Sequence, residues 1–232
     1  MSKRRKRKHR KRDVPHCSDP ENHVLVETRE SLFWRRRRKR GKLNETFATN
    51  VDLSKICGPA ASKIVRNLRP FMKGIDAGRI TLRVSNALRQ FLKDKKQLSL
   101  SALEEIEIQR DYLLHQLLLV PYEIVVEELT CTIRIAIGEA CVKKQNTLAT
   151  NFYFEGMILY GDVGKEGGLK LDTVESKLYA FGSEPTEVCE LNLALPEEDQ
   201  SWIVLLKVSC LEGNEMAVHP KHYGMKVISV KK

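Results

Sequence analysis

The sequence predicts an α+β fold, in which a basic N-terminal arm and a short helical pair precede an antiparallel β-sandwich. Three observations lead to this prediction. Lys and Arg dominate the first 42 residues, apolar residues then recur at helical spacing, and short β-rich runs fill the remainder. With 232 residues and 42% hydrophobic content, the chain is long enough for one large domain or two small ones with a buried core.

Charge divides the chain into a basic front and an acidic back. Residues 1–42 contain 17 Lys or Arg and 5 Asp or Glu, a net charge of +12. Residues 43–96 have a net charge of +7 and residues 97–232 a net charge of −9, within a formal total of +10. Such asymmetry between the halves of a chain indicates a polyanionic partner for the front half.

Residues 1–42 are predicted to form a basic, largely disordered arm. Its first 22 residues show no apolar periodicity and include Pro15 and Pro20, so little surface can be buried to offset the entropy of ordering. The stretch "HVLVETRESLFW" at 23–34 is the first candidate strand, and a second arginine run follows it.

This arm is also the strongest candidate binding site, because Lys and Arg neutralise phosphates without needing a defined fold. Trp34, with Phe33 beside it, offers aromatic surface for stacking on single-stranded bases. The predicted nucleic-acid-binding residues are Lys3, Arg4, Arg5, Lys6, Arg7, Lys8, Arg10, Lys11, Arg12, Trp34, Arg35, Arg36, Arg37, Arg38, Lys39, Arg40 and Lys42. The alternative is a solvated tail that contacts an acidic protein surface, for which its own acidic back half is a candidate.

Residues 43–100 are predicted to be a helical pair, whose first helix begins near residue 52. Its apolar residues follow at intervals of four: Ile56, Ala60, Ile64 and Leu68. Asp52 or Ser54 is the predicted cap at its start. Pro59 is placed in an early turn, and Pro70 is expected to end the helix because proline disfavours helical geometry in the preceding residue.

The second helix is predicted over residues 79–94, after the break "KGIDAG". Its apolar side carries Ile80, Val84, Leu88 and Leu92. The opposite sides of the two helices carry Lys63, Arg66, Lys73, Arg79, Arg83 and Arg89. On one interpretation, these cations extend the nucleic-acid-binding surface of the basic arm. The favoured interpretation is simpler, since a charged side opposite an apolar one is typical of any surface helix.

Residues 101–232 are predicted to form the antiparallel sandwich, because helical periodicity is lost there and turn residues separate short β-rich runs. The runs cover 112–119, 122–129, 131–137, 152–161, 176–181, 187–195, 202–211 and 226–230. In "CTIRIAI", Ile133 and Ile135 alternate with polar or small residues such as Arg134, as in a half-buried strand. Ile133, Ile135, Ile203 and Leu205 are therefore expected in the sandwich core.

The segments "NETFATNVDLSKICGPAASKIVRNLRPF", "DAGRITLRVSNAL", "ATNFYFEGMILYGD" and "VLLKVSCLEGNEM" follow one another before the closing "GMKVISVKK". In this order they resemble a family of small uncharacterised Bacteroidota proteins over residues 43–232. Gly78 and Arg79 match a glycine–arginine step of that family, and Asn44 and Phe47 resemble its helix lead-in. The resemblance implies that the sandwich is immunoglobulin-like. It implies no activity, and the long basic start departs from the family's pattern.

No other motif predicts a catalytic, cofactor or metal site. The stretch "YGDVGKEGG" at 160–168 lacks the first glycine and the Ser or Thr of a phosphate-binding loop. The six cysteines are spread singly, without a CxxC pair, and are interpreted as reduced thiols. No apolar stretch reaches the roughly 18 residues of a membrane span, and no signal-like apolar core follows the basic start. We therefore expect no membrane association and a cytoplasmic location.

The sequence thus predicts a non-enzymatic structural or interaction protein whose arm engages nucleic acid or another polyanion, without a cofactor or metal. One specific version is a component of a phage or mobile-element particle, in which basic arms neutralise the packaged genome. The alternative is a protein–protein adaptor, or a self-assembling protein, with its specificity in the sandwich and an incidental basic tail. An enzyme of unknown class is the third interpretation.

Overall fold

The computed structural model describes residues 14–17, 19–27, 31–36, 45–138, 140–165, 167–182, 187–197 and 200–231. The chain forms two units, residues 1–48 and residues 49–232. The fold is α+β, with antiparallel sheets and few helices. This confirms the coarse fold class predicted from the sequence.

The first unit contains a two-stranded antiparallel hairpin. Strand β1 spans His23–Glu27 and strand β2 spans Leu32–Arg36, after a 3-10 turn at Pro20–Asn22. The single strand predicted over 23–34 is therefore corrected to two strands. The register pairs His23 with Arg36 and Glu27 with Leu32.

Helix α1 of the chain spans Glu45–Leu68, so it begins earlier than predicted, and Pro59 lies in its interior rather than in an early turn. The predicted caps do not cap it. Asp52 forms an ion pair with Lys55 at 2.8 Å, and the Ser54 hydroxyl donates to the carbonyl oxygen of Asn50 at 2.6 Å, both within the helix. Asp52 and Ser54, which indicated a helix start in the sequence, therefore bond to residues within the same helix.

The end of α1 and the whole of helix α2 agree with the prediction. A 3-10 turn at Arg69–Phe71 follows α1 directly, at the predicted proline, and α2 spans Ile80–Lys95. Arg79 precedes α2 in the left-handed region, with a φ of +57°. Within the described residues, no helix combines the length and the apolar composition that crossing a bilayer requires.

The β-rich part of the second unit consists of two antiparallel sheets. The three-stranded sheet has the order β3 (Tyr122–Val126), β4 (Thr130–Ile137), β8 (Glu187–Ala194). The other sheet is built around β5 (Ala149–Gly161) and β9 (Trp202–Glu212), which pair with each other along most of their length. It is completed by β6 (Leu169–Glu175), β7 (Tyr179–Ala180), β10 (Glu215–Met216) and β11 (Tyr223–Val230).

The run at 112–119, predicted as a strand, instead contains the short helix α3 at Leu114–Leu117. Leu114 and Leu117 are both buried, and three-residue spacing brings them to the same side of a helical turn. Helical structure therefore extends beyond residues 43–100, where the helical pair was predicted. Short 3-10 turns at Leu100–Leu103 and Pro220–His222 add to it.

The β5–β9 pair forms the central layer of the second unit. One side of it packs with the three-stranded sheet in a core that contains Phe154, Ile158, Val204, Leu206, Ile133, Ile135 and Leu191. The other side packs with the helices in a second core that contains Met157, Leu159, Ile203, Leu205, Ile64, Val84 and Leu88. Ile203 and Leu205, predicted in the sandwich core, therefore lie on the helix-facing side.

The buried side of α1 differs from the predicted one at its beginning. Ala60, Ile64 and Leu68 are buried as predicted, whereas Ile56 is 52% exposed and Cys57 is buried in its place. The reason is geometric, because a step of four residues turns a helix about 40° beyond a full turn. Over the three steps from Leu68 back to Ile56 this drift moves the side chain away from the sheet.

Candidate polyanion-binding surfaces

Three of the predicted nucleic-acid-binding residues lie in the described part of the chain: Trp34, Arg35 and Arg36, all on β2. The others lie outside the described residues: Lys3, Arg4, Arg5, Lys6, Arg7, Lys8, Arg10, Lys11, Arg12, Arg37, Arg38, Lys39, Arg40 and Lys42. Arg35 and Arg36 are both exposed. The hairpin therefore presents two cations to solvent.

The aromatic surface beside these cations is provided by Phe33 more than by Trp34. Trp34 is half-buried, and its indole N–H donates to the carbonyl oxygen of Pro15 at 2.6 Å. Phe33 is 43% exposed. Because side chains alternate along a strand, Phe33 shares a side of the hairpin with Arg35. An aromatic ring and a guanidinium on one exposed side are a suitable surface for a base and its phosphate.

Three of the six cations predicted on the helix exteriors are used within the protein. Their contacts are Arg83 with the carbonyl oxygens of Glu107 and Ile108, Arg89 with the Ser85 hydroxyl, and Lys63 with the carbonyl oxygens of Gly164 and Lys165. The other three, Arg66, Lys73 and Arg79, are exposed and form no ion pair within the described part of the chain. These remain available to an external anion.

Lys73 and Arg79, together with a third cation, Arg69, line an open pocket of about 470 Å³ at the connection between α1 and α2. We call this the turn pocket, and its lining consists of Val65, Arg69, Met72, Lys73, Ala77, Arg79, Ile80 and Thr81. This lining, all of it in described residues, includes three cations and neither Asp nor Glu. Arg69 was not singled out in the sequence, where its position before a proline indicated only a helix end.

The local backbone brings these cations together. The 3-10 turn at Arg69–Phe71 follows α1 directly, Arg79 stands directly before α2, and both line the same pocket. The nearest acidic residue in sequence is Asp76, which does not line the pocket and whose carboxylate accepts the Gly78 N–H at 3.1 Å. The beginning of α2 has no side-chain cap and no acidic residue in its first turn. The positive end of the helix dipole therefore adds to the charge of the side chains.

Cations of the β-rich part are neutralised much more often. The ion pairs are Arg110–Asp111, Arg134–Glu190, Lys165–Asp162, Lys177–Glu187, Lys207–Glu155 and Lys226–Glu105. A second pocket of about 520 Å³ lies beside the loop at 161–168, and its lining contains both a cation and a carboxylate. Its Lys165 pairs with Asp162 at 3.6 Å, so that pocket, unlike the turn pocket, includes its own carboxylate.

The buried cysteine thiols are poor nucleophiles, because burial raises their pKa values. Burial raises the pKa of Cys131 and of Cys141 to about 11 and the pKa of Cys210 to about 12. These thiols are protonated at neutral pH, whereas nucleophilic cysteines react as thiolates. Among the described residues, no group of three or more His, Cys, Asp or Glu side chains is arranged to hold a metal ion.

Comparisons of the chain with known protein families, with curated proteins and with solved structures found no match. The resemblance of residues 43–232 to a Bacteroidota family stays a prediction. The distribution of charge over the hairpin and over the helices is therefore the observation that indicates a function.

Proposed function

We propose that this chain is a non-enzymatic interaction protein that binds nucleic acid or another polyanion through residues 1–42 and through exposed cations of its helices. The observation that carries this proposal is the lack of any described carboxylate partner for Arg66, Arg69, Lys73 and Arg79, which all lie on the surface. Exposed cations that no carboxylate neutralises keep their full attraction for an external anion. Binding to a polyanion then gains free energy from the release of its condensed counterions.

Nucleic acid is the polyanion that the hairpin favours. Phosphates attract any cation, but an exposed Phe33 beside Arg35 adds a surface on which a nucleic-acid base can stack. Residues 1–42, with 17 Lys or Arg, provide the larger share of the charge. The specific version of the proposal is a particle component of a phage or mobile element, whose basic segment neutralises packaged genome.

The proposal has two further parts. The sandwich is immunoglobulin-like, and the chain is a member of the Bacteroidota family that residues 43–232 resemble. Two antiparallel sheets around a common core support the first of these. It also includes a cytoplasmic location. The six cysteines are free thiols, which is typical of proteins in a reducing compartment.

The experiment is fluorescence-polarisation binding of single-stranded and duplex oligonucleotides by the full chain, from low to physiological salt. If six cations neutralise phosphates, the logarithm of the affinity for duplex DNA falls with log salt at a slope of about −5. Replacing Arg35, Arg36, Arg37 and Arg38 with Ala should make that slope shallower by up to about four. Replacing Arg66, Arg69, Lys73 and Arg79 with Gln tests the helices in the same way.

A control variant removes two cations that already have carboxylate partners. Arg134 and Lys177 are exposed and pair with Glu190 and Glu187, so their replacement by Gln changes net charge without removing a free cation. This variant should keep the wild-type slope. If both charge sets leave affinity and slope unchanged, or if the full chain binds no oligonucleotide at low salt, the proposal is wrong.

The adaptor role is a second candidate because the β-rich part exposes apolar side chains. Leu129 in the β3–β4 connection is 74% exposed, and Val188 on the outer side of β8 is 58% exposed. The register places them at opposite ends of the three-stranded sheet, since Thr130 pairs with Ala194 and Ala136 with Val188, so each is a separate candidate contact. Sedimentation velocity would detect self-association, and replacement of both residues with Ser should abolish it. Self-association that survives this double replacement would place the interface elsewhere.

A further inference from the structure

We propose that the turn pocket is a binding site for the phosphate group of an organic phosphate, held by Arg69, Lys73 and Arg79. The pocket lies within residues 65–81. The inference rests on the helix part of the proposed function and deepens it, and it requires none of residues 1–42. It assigns to the helices a discrete site instead of a general attraction for polyanions.

Charge is the first argument. Three cations line one pocket, and no carboxylate lines it. Like charges that converge without a counter-charge repel one another, and an anion in the pocket relieves that repulsion. Arg83 on α2 has a structural role instead, because its guanidinium donates to two backbone carbonyl groups. Arg69, Lys73 and Arg79 have no such partner in the described part of the chain.

The pocket lining is the second argument, and it indicates the class of ligand. Val65, Met72, Ala77 and Ile80 contribute apolar surface between the cations. A volume of about 470 Å³ is in the usual range for sites that hold small organic molecules. The site therefore suits a phosphate group with an attached organic moiety. A free nucleotide and a nucleotide unit within a single strand both provide this chemistry.

The backbone of Arg79 is the third argument. Its φ of +57° lies in the left-handed region, which glycine adopts without strain and which an arginine rarely adopts. The turn itself would therefore be formed at least as well by glycine. An arginine at this position contributes a side chain that the turn does not need, and that side chain lines the pocket.

The experiment is isothermal titration calorimetry of the full chain with inorganic phosphate, AMP, adenosine and a short oligothymidine. We expect AMP and phosphate to bind, and adenosine, which has no phosphate, to bind at least about tenfold more weakly than AMP. Arg79→Gly should weaken AMP binding about tenfold, the effect of losing a charge-assisted hydrogen bond. The same variant should have an unchanged or higher melting temperature, because it relieves backbone strain.

Opposite effects on binding and stability exclude unfolding as the cause of the loss. Lys73→Gln provides a second variant that leaves the backbone unchanged and should also weaken AMP binding about tenfold. Lys93→Gln is the matched control. Lys93 is exposed in the last turn of α2 and does not line the pocket, so the same loss of charge should leave AMP binding unchanged.

The ligands distinguish the two sources of the phosphate. Pocket-dependent AMP binding identifies a free nucleotide, and pocket-dependent oligothymidine binding without AMP binding identifies a strand. If no phosphate probe binds, if Arg79→Gly and Lys73→Gln bind all probes as the wild type does, or if adenosine binds as well as AMP, the inference is wrong. Replacing Arg35 to Arg38 with Ala should leave AMP binding intact. A full chain that binds AMP through the pocket but binds no oligonucleotide would overturn the proposed function and not this site.

Discussion

Lys207 on β9 and Glu155 on β5 are register partners, and their side chains form an ion pair that is almost completely buried. The Lys207 side chain is 3% exposed and the Glu155 side chain 7%. The Ser209 hydroxyl also donates to the Glu155 carboxylate, at 3.3 Å. This polar group lies in the middle of a strand pair whose other buried residues are mostly apolar.

Removing one member of this pair should cost more than removing both. Glu155→Met or Lys207→Met alone leaves a buried charge without its partner, which costs roughly 3–5 kcal/mol of unfolding free energy. The double variant replaces the pair with apolar side chains of similar length and should be more stable than either single variant. Urea denaturation of the four proteins measures the coupling. Additive losses in the double variant would contradict the buried pair.

Gly74 should tolerate no side chain. Its φ is +82°, and a Cβ placed there would lie 2.3 Å from the Tyr223 ring. Tyr223 has little freedom to move, because it is buried and its hydroxyl donates to the carbonyl oxygen of Ala217. We expect Gly74→Ala to lower the unfolding free energy by about 1–3 kcal/mol. Gly138→Ala is the control, since its added methyl group meets no atom within 4 Å and its φ is not left-handed.

Acidification should destabilise the protein through His222. Its side chain is fully buried, its Nε2 lies 3.7 Å from the Glu212 carboxylate and 3.4 Å from the Asn146 amide nitrogen, and its Nδ1 has no partner. Burial is the main cause that lowers the pKa of His222, and the nearby Lys221 and His219 lower it further, against the raising effect of Glu212. The unfolded chain therefore binds a proton at higher pH than the native protein does.

The sign follows from proton linkage. Below the unfolded-state pKa of about 6.5, the unfolded state holds more protons than the native state, so stability falls as the pH falls through that value. His222→Gln should show a smaller loss between pH 7.5 and pH 5.5 in urea denaturation. His115→Gln, at an exposed histidine, should show the wild-type loss. Equal pH dependence of all three proteins would exclude His222 as the cause.

The alternation on β4 predicts a large and a small loss of stability at adjacent positions. Ile133 and Ile135 are fully buried, and truncation of either to Ala should lower the unfolding free energy by roughly 2–5 kcal/mol. Arg134 between them is exposed and pairs with Glu190 at 2.9 Å, so Arg134→Ala should cost no more than about 1 kcal/mol. Thermal or urea denaturation of the three variants tests this. A loss at Arg134 as large as at Ile133 would contradict the assigned faces of the strand.

Local patterns were sufficient for much of the fold. The proline at 70 predicted the end of α1, and four-residue spacing predicted the buried side of α2 at Ile80, Val84 and Leu88. Both features depend on neighbours within one or two turns of a helix. The start of α1 was missed because Asp52 and Ser54, which favour helix starts in general, bond within the helix instead.

The candidate site was predictable only as a region. Composition indicated the basic front half, and the helical pattern placed Lys73 and Arg79 on the surface. It gave Arg83 the same role, although the guanidinium of Arg83 contacts carbonyl groups at 107 and 108. Whether a surface cation stays unpaired depends on which distant segment of the chain lies beside it. Helical periodicity carries no information about that segment.

The sequence by itself determined the charge asymmetry, the class of most elements and the alternation of Ile133 and Ile135, because these follow from composition and from residues adjacent in the chain. The tertiary structure alone decided that Ile203 and Leu205 face the helices while Val204 and Leu206 face the three-stranded sheet. Ile203, Val204, Leu205 and Leu206 form a continuous apolar run because the strand is buried on both sides, and such a run does not distinguish one side from the other. The turn pocket likewise exists only because the fold brings the end of α1 close to the beginning of α2.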